Sequence, residues 1–172
     1  PVGEGRGFAN VLARSADGVR FTPVLERGRE EFDAESLERP ALVRTAAGRW
    51  RLYVSCATPG TKHWRVDLLE AGTVEELATA PARTVLPGSA TAAVKDPVVR
   101  LVGGEWHLWA SVHPLDDPAA TDRMTTEHAT SPDGVTWTWR GTALAGRSGS
   151  WDARGVRVAT VAGDGSWALY DG

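Results

Sequence analysis

The sequence predicts an all-β fold, a β-propeller built from four-stranded antiparallel blades. Three observations carry this. First, three segments repeat one pattern: a β-branched strand, a glycine-containing turn, and a second strand opening on tryptophan. They are RPALVRTAAGRWRLYVSCA (39–57), DPVVRLVGGEWHLWASVH (96–113) and GVRVATVAGDGSWALYDG (155–172). Second, the tryptophans Trp50, Trp106 and Trp167 that mark the register recur roughly every sixty residues, more than two strands need, so each unit should hold about four strands. Third, no segment sustains a helical period; only TVEELA (73–78) reads as a single helical turn.

The outer halves of the units repeat as well. ARSADGVRFT (13–22) matches ATSPDGVTWT (129–138), each with Asp-Gly between two β-rich runs. Asp-Gly there marks a hairpin, because glycine takes the positive φ of a tight turn. WRVDLLEAGTVEELATAPARTVL (64–86) occupies the same place in the intermediate unit. The expected order is therefore outer strands of a first blade in residues 1–36, a full blade in 37–93, a second in 94–149, and inner strands of a further blade in 150–172. That is about three blades' worth of strands, fewer than the roughly four to eight blades of an ordinary ring. The remainder of a longer propeller, of five blades, is the expected partner of these strands, since open blade edges invite association.

A chain of 172 residues with 42% apolar content can bury a core as one domain. Its formal net charge of -3 and lack of a basic patch argue against nucleic acid. Its apolar runs are too short to span a bilayer as a helix, so no membrane partner is expected. PVGEGRGFANVLA shows no signal-peptide pattern, which favours the cytoplasm, although a start without Met points to processing or to a piece of a longer chain. A single cysteine, Cys56, rules out an intrachain disulfide and reads as a small core residue.

Eight tryptophans are many for this length. Blades stack face to face, so Trp50, Trp106 and Trp167 are expected to pack between them, and Trp137 and Trp139, on one face of a strand, to do the same. Trp64 and Trp151 flank loops and are the two kept as sugar-stacking platforms.

In a propeller the inner strands converge on a central channel. Residues at their entries, far apart in sequence, can meet at one end of it. Here the entries carry Glu38, Arg39, Lys95, Asp96, Asp152 and Arg154. Acids and bases brought together there would shift one another's pKa values and suit a polyhydroxylated ligand. Asp96 stands before Pro97, which either finishes a turn or aims the carboxylate in an extended conformation. The loop HPLDDPAATDRMTTEH (113–128) brings His113, Asp116, Asp117, Asp122 and Arg123 as a binding rim, a calcium site or a solvated loop. No histidine has zinc-site spacing, and no cofactor motif is present.

The Asp-Pro strand entry, the glycine turn followed by an aromatic residue, and the S-x-D-G-x-x-W hairpin at Ser131–Trp137 resemble the five-bladed furanosidase-like propellers of glycoside hydrolase families 32 and 43. That superfamily places three acids at inner-strand entries of successive blades: a nucleophile or base, an Asp of an Arg-Asp-Pro motif that stabilises and tunes, and a Glu acid. Lys95-Asp96-Pro97 matches the middle motif, with Lys in place of Arg. The preceding blade has Arg39 where an acid would stand, and the following one offers Asp152 some residues upstream.

The resemblance implies a glycosidase-like propeller that binds or hydrolyses furanoside or pentose-containing glycans, with Asp96, Asp152 and Glu38 as catalytic candidates. Arg39, Lys95, Arg154, Trp64, His113, Asp122 and Arg123 are the candidates for contacting the sugar. The alternative is a non-catalytic carbohydrate-binding or scaffolding propeller. Asp96 is expected to be held ionised by a neighbouring cation, Lys95, Arg39 or Arg154.

Overall fold

The structure is a computed structural model that describes residues 7–117, 120 and 123–172. Among the described residues, twelve strands form four separate antiparallel sheets. β1 (Ala9–Arg14) and β2 (Thr22–Gly28) make a two-stranded sheet, and β3 (Leu37–Arg44), β4 (Trp50–Ala57), β5 (Trp64–Ala71) and β6 (Arg83–Leu86) a four-stranded one. β7 (Ala92–Val102), β8 (Glu105–Pro114), β9 (Thr125–Ser131) and β10 (Thr138–Leu144) form a second four-stranded sheet. β11 (Arg157–Val161) and β12 (Ala168–Asp171) close the chain as another pair. Each strand of a four-stranded sheet pairs with its sequence neighbours, which is the meander of a propeller blade. The turn expected in TVEELA is present as a 3₁₀ turn, Glu75–Ala78.

The sheets stack through two apolar layers. On β4 the side chains alternate, sending Leu52, Val54 and Cys56 into one layer with Leu12, Leu25, Phe32 and Leu77, and Tyr53 into the other. The second layer joins Tyr53, Val66 and Leu68 to Val99, Trp106, Leu108 and Ala129 of the next sheet. The apolar residues of β4 on both faces thus have a neighbouring sheet to bury them. Cys56 lies fully buried, and burial pushes its thiol pKa far up.

The Asp-Gly hairpins are built identically. In the second, Ser131 Oγ accepts the N–H groups of Asp133 and Gly134, while Asp133 Oδ1 accepts those of Val135 and Thr136, both at 2.8 Å. In the first, Ser15 and Asp17 repeat each of these bonds around Gly18. Gly18 and Gly134 have φ of 72° and 69°, the left-handed conformation that the repeated Asp-Gly anticipates.

Two of the tryptophan expectations need correction. Trp106 is buried and Trp50 packs against the first layer, but Trp167 is 79% exposed, because no further strand lies beside β12 among the described residues to cover it. Trp137 packs edge-on against Tyr53, whereas Trp139, two residues along, is 44% exposed.

The inner strands β3, β7 and β11 belong to three different sheets and pack side by side, β3 on β7 and β7 on β11. Each slips its register against its partner: between Glu38 and Ala41, between Lys95 and Val98, and between Val158 and Thr160. In the first two the cause is a proline. Pro40 and Pro97 have no N–H to give the ladder, so the strand bulges around them. The residue before each proline is thrown into positive φ, 25° at Arg39 and 54° at Asp96. Extended geometry, expected for Asp96 from the proline alone, is overridden by the bulge.

Candidate functional site

Two bulges and the start of β11 deliver charged side chains to one place. A pocket of about 380 Å³ is lined by Gly7, Leu37, Glu38, Arg39, Lys95 and Arg157. Its walls come from the entries of three successive inner strands, as a channel mouth requires. The charges are paired in a chain. Lys95 Nζ lies 2.9 Å from Glu38 Oε2, and Arg157 Nε donates to Asp171 Oδ1 at 2.9 Å. Arg39 reaches the other oxygen of Asp171 at 3.6 Å, and Arg157 Nη1 stands 3.7 Å from Asp96 Oδ2. Lys95 also sits over the Trp64 ring, 4.7 Å from its centroid, which holds both side chains in place.

Asp96 is the unusual member. It is 3% exposed, has left-handed backbone, and neither carboxylate oxygen has a hydrogen bond among the described residues. Its backbone N–H donates to the buried Ser55 Oγ at 2.8 Å, so the strained residue is tied to the preceding sheet. Burial pushes its carboxyl pKa above the usual range. Lys95, Arg39 and Arg157 pull the other way without cancelling this, and Glu38 adds to the rise. The cation-lowered pKa expected for it is not what its surroundings favour: desolvation is the largest influence and acts upward, and the nearest Arg157 nitrogen stands 3.7 Å from Oδ2.

The other candidates fall in different surroundings. Asp152 is buried in the turn before β11, where Arg147 Nε donates to its Oδ2 at 2.8 Å and Tyr170 Oη donates to the same oxygen at 3.3 Å. Burial raises its pKa, but Arg147 outweighs that and leaves it below the usual value. Asp152 does not line the charged pocket. Arg154 is exposed and lines a neighbouring pocket of about 330 Å³ with Met124, Gly155, Val156, Arg157, Asp171 and Gly172. His113 is buried near the end of β8, and Arg123 is exposed. Asp122 lies outside the described residues. Trp151 stacks on Tyr170 with centroids 5.6 Å apart. Among the described residues no cluster of three or more His, Cys, Asp or Glu is arranged to hold a metal ion, and no helix is long and apolar enough to cross a membrane.

Three participants were not found from the sequence: Ser55, Arg157 and Asp171. Arg157 had a signal, a lone cation in the apolar run GVRVATV. Asp171 is its partner across the β11–β12 ladder. Ser55 stands five residues after Trp50, as Ser111 stands after Trp106, so the repeat itself pointed to it.

The arrangement of the sheets is matched in solved proteins. The fold is that of part of several solved carbohydrate-active proteins. A β-1,2-mannobiose phosphorylase from Listeria innocua superposes with a TM-score of 0.61 at 17% identity, over 85% of this chain and 39% of its own. A thermostable family-43 glycoside hydrolase gives 0.58 at 16% identity, over 91% and 54%. A glycosyl hydrolase from Bacteroides ovatus gives 0.54 at 14% identity, over 92% and 49%. The chain thus spans between two fifths and just over half the length of these propellers. No family model matches it, and no curated protein sequence does.

Proposed function

We propose that this is a carbohydrate-active propeller domain that takes furanoside or pentose-containing glycans into the pocket between Glu38, Arg39, Lys95 and Arg157, with Asp96 beneath as the reacting carboxyl. The observation that carries the reading is the pairing of a charged pocket with a buried acid one residue from its wall. Paired cations and carboxylates offer a sugar both donors and acceptors, so each hydroxyl can find a complement. Hydrolysis of a glycoside needs one protonated and one ionised carboxyl group. Asp96, pushed toward its protonated form by burial, suits the first, and Glu38 at the pocket wall is the natural second. The likeness to hydrolases and a phosphorylase of glycans supports the reading at the level of fold.

A specific observation favours the second reading, a propeller that binds sugar without cleaving it. Glu38 and Asp171 are each engaged by cations, and Asp152 is held by Arg147 and Tyr170 outside the pocket. Turnover of aryl furanosides and pentosides decides between the two. Release of the aryl group that disappears in Asp96→Asn supports hydrolysis. Saturable binding with no release in any member of the series supports the binder.

A further inference from the structure

Between the two four-stranded sheets, on the face of β7–β10 that looks toward β3–β6, lies a second cavity unrelated to the ion-pair chain. It measures about 310 Å³ and is bounded by Leu86, Val94, Val112, Trp139, Glu127 and the crossover loop at Pro87–Ser89. Both walls are four-stranded sheets, so this crevice differs from the open faces at Trp167 and β1.

Its origin is local. Trp139 pairs with Ala129 and Glu127 with Ala110, which places all four on the face that packs against the preceding sheet. There Ala129 and Ala110 are buried against that sheet. Trp139, on the outermost strand, lines the cavity together with Leu86 of the four-residue β6 and is 44% exposed. The crossover loop that floors the cavity is held tightly. Ser89 N–H donates to Ala92 O at 2.8 Å, and Gly88 has φ of 68° with no room for a Cβ, which would stand 2.9 Å from Trp64 O. Glu127 is also fixed: Thr125 and Thr142 both donate to its Oε1, at 2.9 and 2.7 Å. Those bonds leave Oε2 to accept from a ligand.

We propose that this crevice is a second saccharide site, taking one sugar ring of an oligosaccharide with its C–H face on Trp139 and a hydroxyl on Glu127. The volume is at the lower bound of about 300 Å³ for small-molecule pockets, which fits one ring rather than a chain. An indole half in water, beside a fixed carboxylate and a serine hydroxyl, matches a ring that is apolar on its faces and polar at its edge. A purely apolar ligand would leave Glu127 desolvated without a donor, which disfavours it. The inference shares with the proposed function only the claim that the ligand is carbohydrate. It needs no catalysis, and it uses none of Glu38, Asp96 or Arg157. Along β7, Val94 lines this crevice and Lys95, the next residue, lines the charged pocket.

The test is titration of the ¹⁵N-labelled chain with xylotriose, arabinotriose and mannotriose, read at the indole N–H signals of its eight tryptophans. The signal lost in Trp139→Phe identifies Trp139. A saturable shift of that signal with at least one trisaccharide is expected. In Trp139→Ala, binding read by calorimetry at the crevice should weaken about tenfold, the size of one good stacking contact. Glu127→Gln keeps the threonine bonds and should weaken binding less, with the fold intact. A Trp139 signal unmoved by all three sugars overturns the proposal, as does a shift produced by indole but by no sugar. If Arg157→Ala removes every sugar-induced shift and Trp139 never responds, the charged pocket keeps its function and the crevice loses its own. If Trp139 responds but aryl glycosides are not turned over, the crevice stands and the hydrolytic reading falls.

Discussion

Ser55, on β4, receives the backbone N–H of Asp96, at the entry of the next sheet, on its hydroxyl oxygen at 2.8 Å. The bond crosses from one blade to the next and lands on a residue whose left-handed backbone costs energy to hold. Strain of this kind costs on the order of 1–3 kcal/mol and is kept where the surroundings over-determine it. Ser55 is part of that surrounding. Ser55→Ala leaves a buried N–H without its acceptor and should destabilise the domain by about 1–2 kcal/mol. In an active protein kcat should fall while KM holds, because the acid is misplaced and the pocket wall is not. A fall in melting temperature with unchanged kcat would make Ser55 structural only.

Asp96→Asn separates charge from shape. Asparagine has nearly the same size and tolerates left-handed backbone well. The folded-state pKa of Asp96 is raised, so the native state binds its proton more tightly than the unfolded chain does. Its contribution to stability is therefore greatest below the unfolded carboxyl pKa and is lost as pH rises through the folded one. At neutral pH the substitution should leave the melting temperature unchanged or raise it, by up to about 1 kcal/mol in stability, and abolish turnover by about a hundredfold or more. Thermal melts at pH 4 and pH 8 check the sign: the stability gain should be larger at the higher pH, and a gain confined to the lower pH contradicts the assignment.

The two Asp-Gly turns offer an internal comparison. Asp133 accepts two backbone N–H groups and its pKa is lowered to about 2, with the Thr136 bond the largest cause. A depressed carboxyl contributes stability above its unfolded pKa, and that contribution is lost as pH falls from the ordinary aspartate range through about 2. Its turn is also anchored, because Tyr53 Oη donates to Gly134 O at 2.7 Å from within the core. Asp133→Ala should cost about 1 kcal/mol through the lost turn bonds. Asp17→Ala removes the same bonds from an exposed hairpin and should cost less. Equal losses in urea unfolding would show that the Tyr53 anchor contributes nothing.

The repeat made the architecture legible because each blade has to solve the same packing problem. Trp50 and Trp106 recur for that reason, and Tyr53 and Trp137 pack where two sheets meet. What the repeat could not show is where a covering sheet stops. Trp167 and Trp139 have the same sequence signature as buried tryptophans, yet among the described residues no further sheet covers the first, and the second lies beside the four-residue strand β6. The site was half legible for a related reason. Asp96, Glu38, Arg39 and Lys95 could be found because strand entries converge in any propeller. Arg157 opens β11 without a proline or acid to mark it, and Asp171 joins the ion pairs only because the β11–β12 pairing sets it opposite Arg157. Nor could a single X-Pro pair reveal that proline would bulge the strand and turn Asp96 left-handed, since the local preference of that pair is the opposite.

Asp152 poses the last question, because a buried acid at the third entry could serve the chemistry or hold the loop. Arg147 and Tyr170 both address its Oδ2, and Trp151 stacks on Tyr170, so this carboxylate is one of the links between the turn before β11 and the end of β12. Removing the acid takes the shared acceptor from Tyr170 Oη and Arg147 Nε, and leaves the Trp151 stack and the 3.5 Å contact of Arg147 Nη2 with Tyr170 Oη to tie the turn to the strand. Asp152→Asn is expected to lower the melting temperature and to leave sugar affinity of the charged pocket within about twofold, as for a residue that shares no partner with the ligand. The contribution of Asp152 has the opposite pH sense to that of Asp96. Its lowered pKa adds stability above the unfolded value that is lost as pH falls through the folded one. The double substitution Arg147→Ala with Asp152→Asn should therefore cost little more than either alone at neutral pH, which unfolding curves of the four proteins would show. If Asp152→Asn instead abolishes turnover with the melting curve unmoved, the acid reaches the reacting sugar, and the latch with Arg147 and Tyr170 opens during the catalytic cycle.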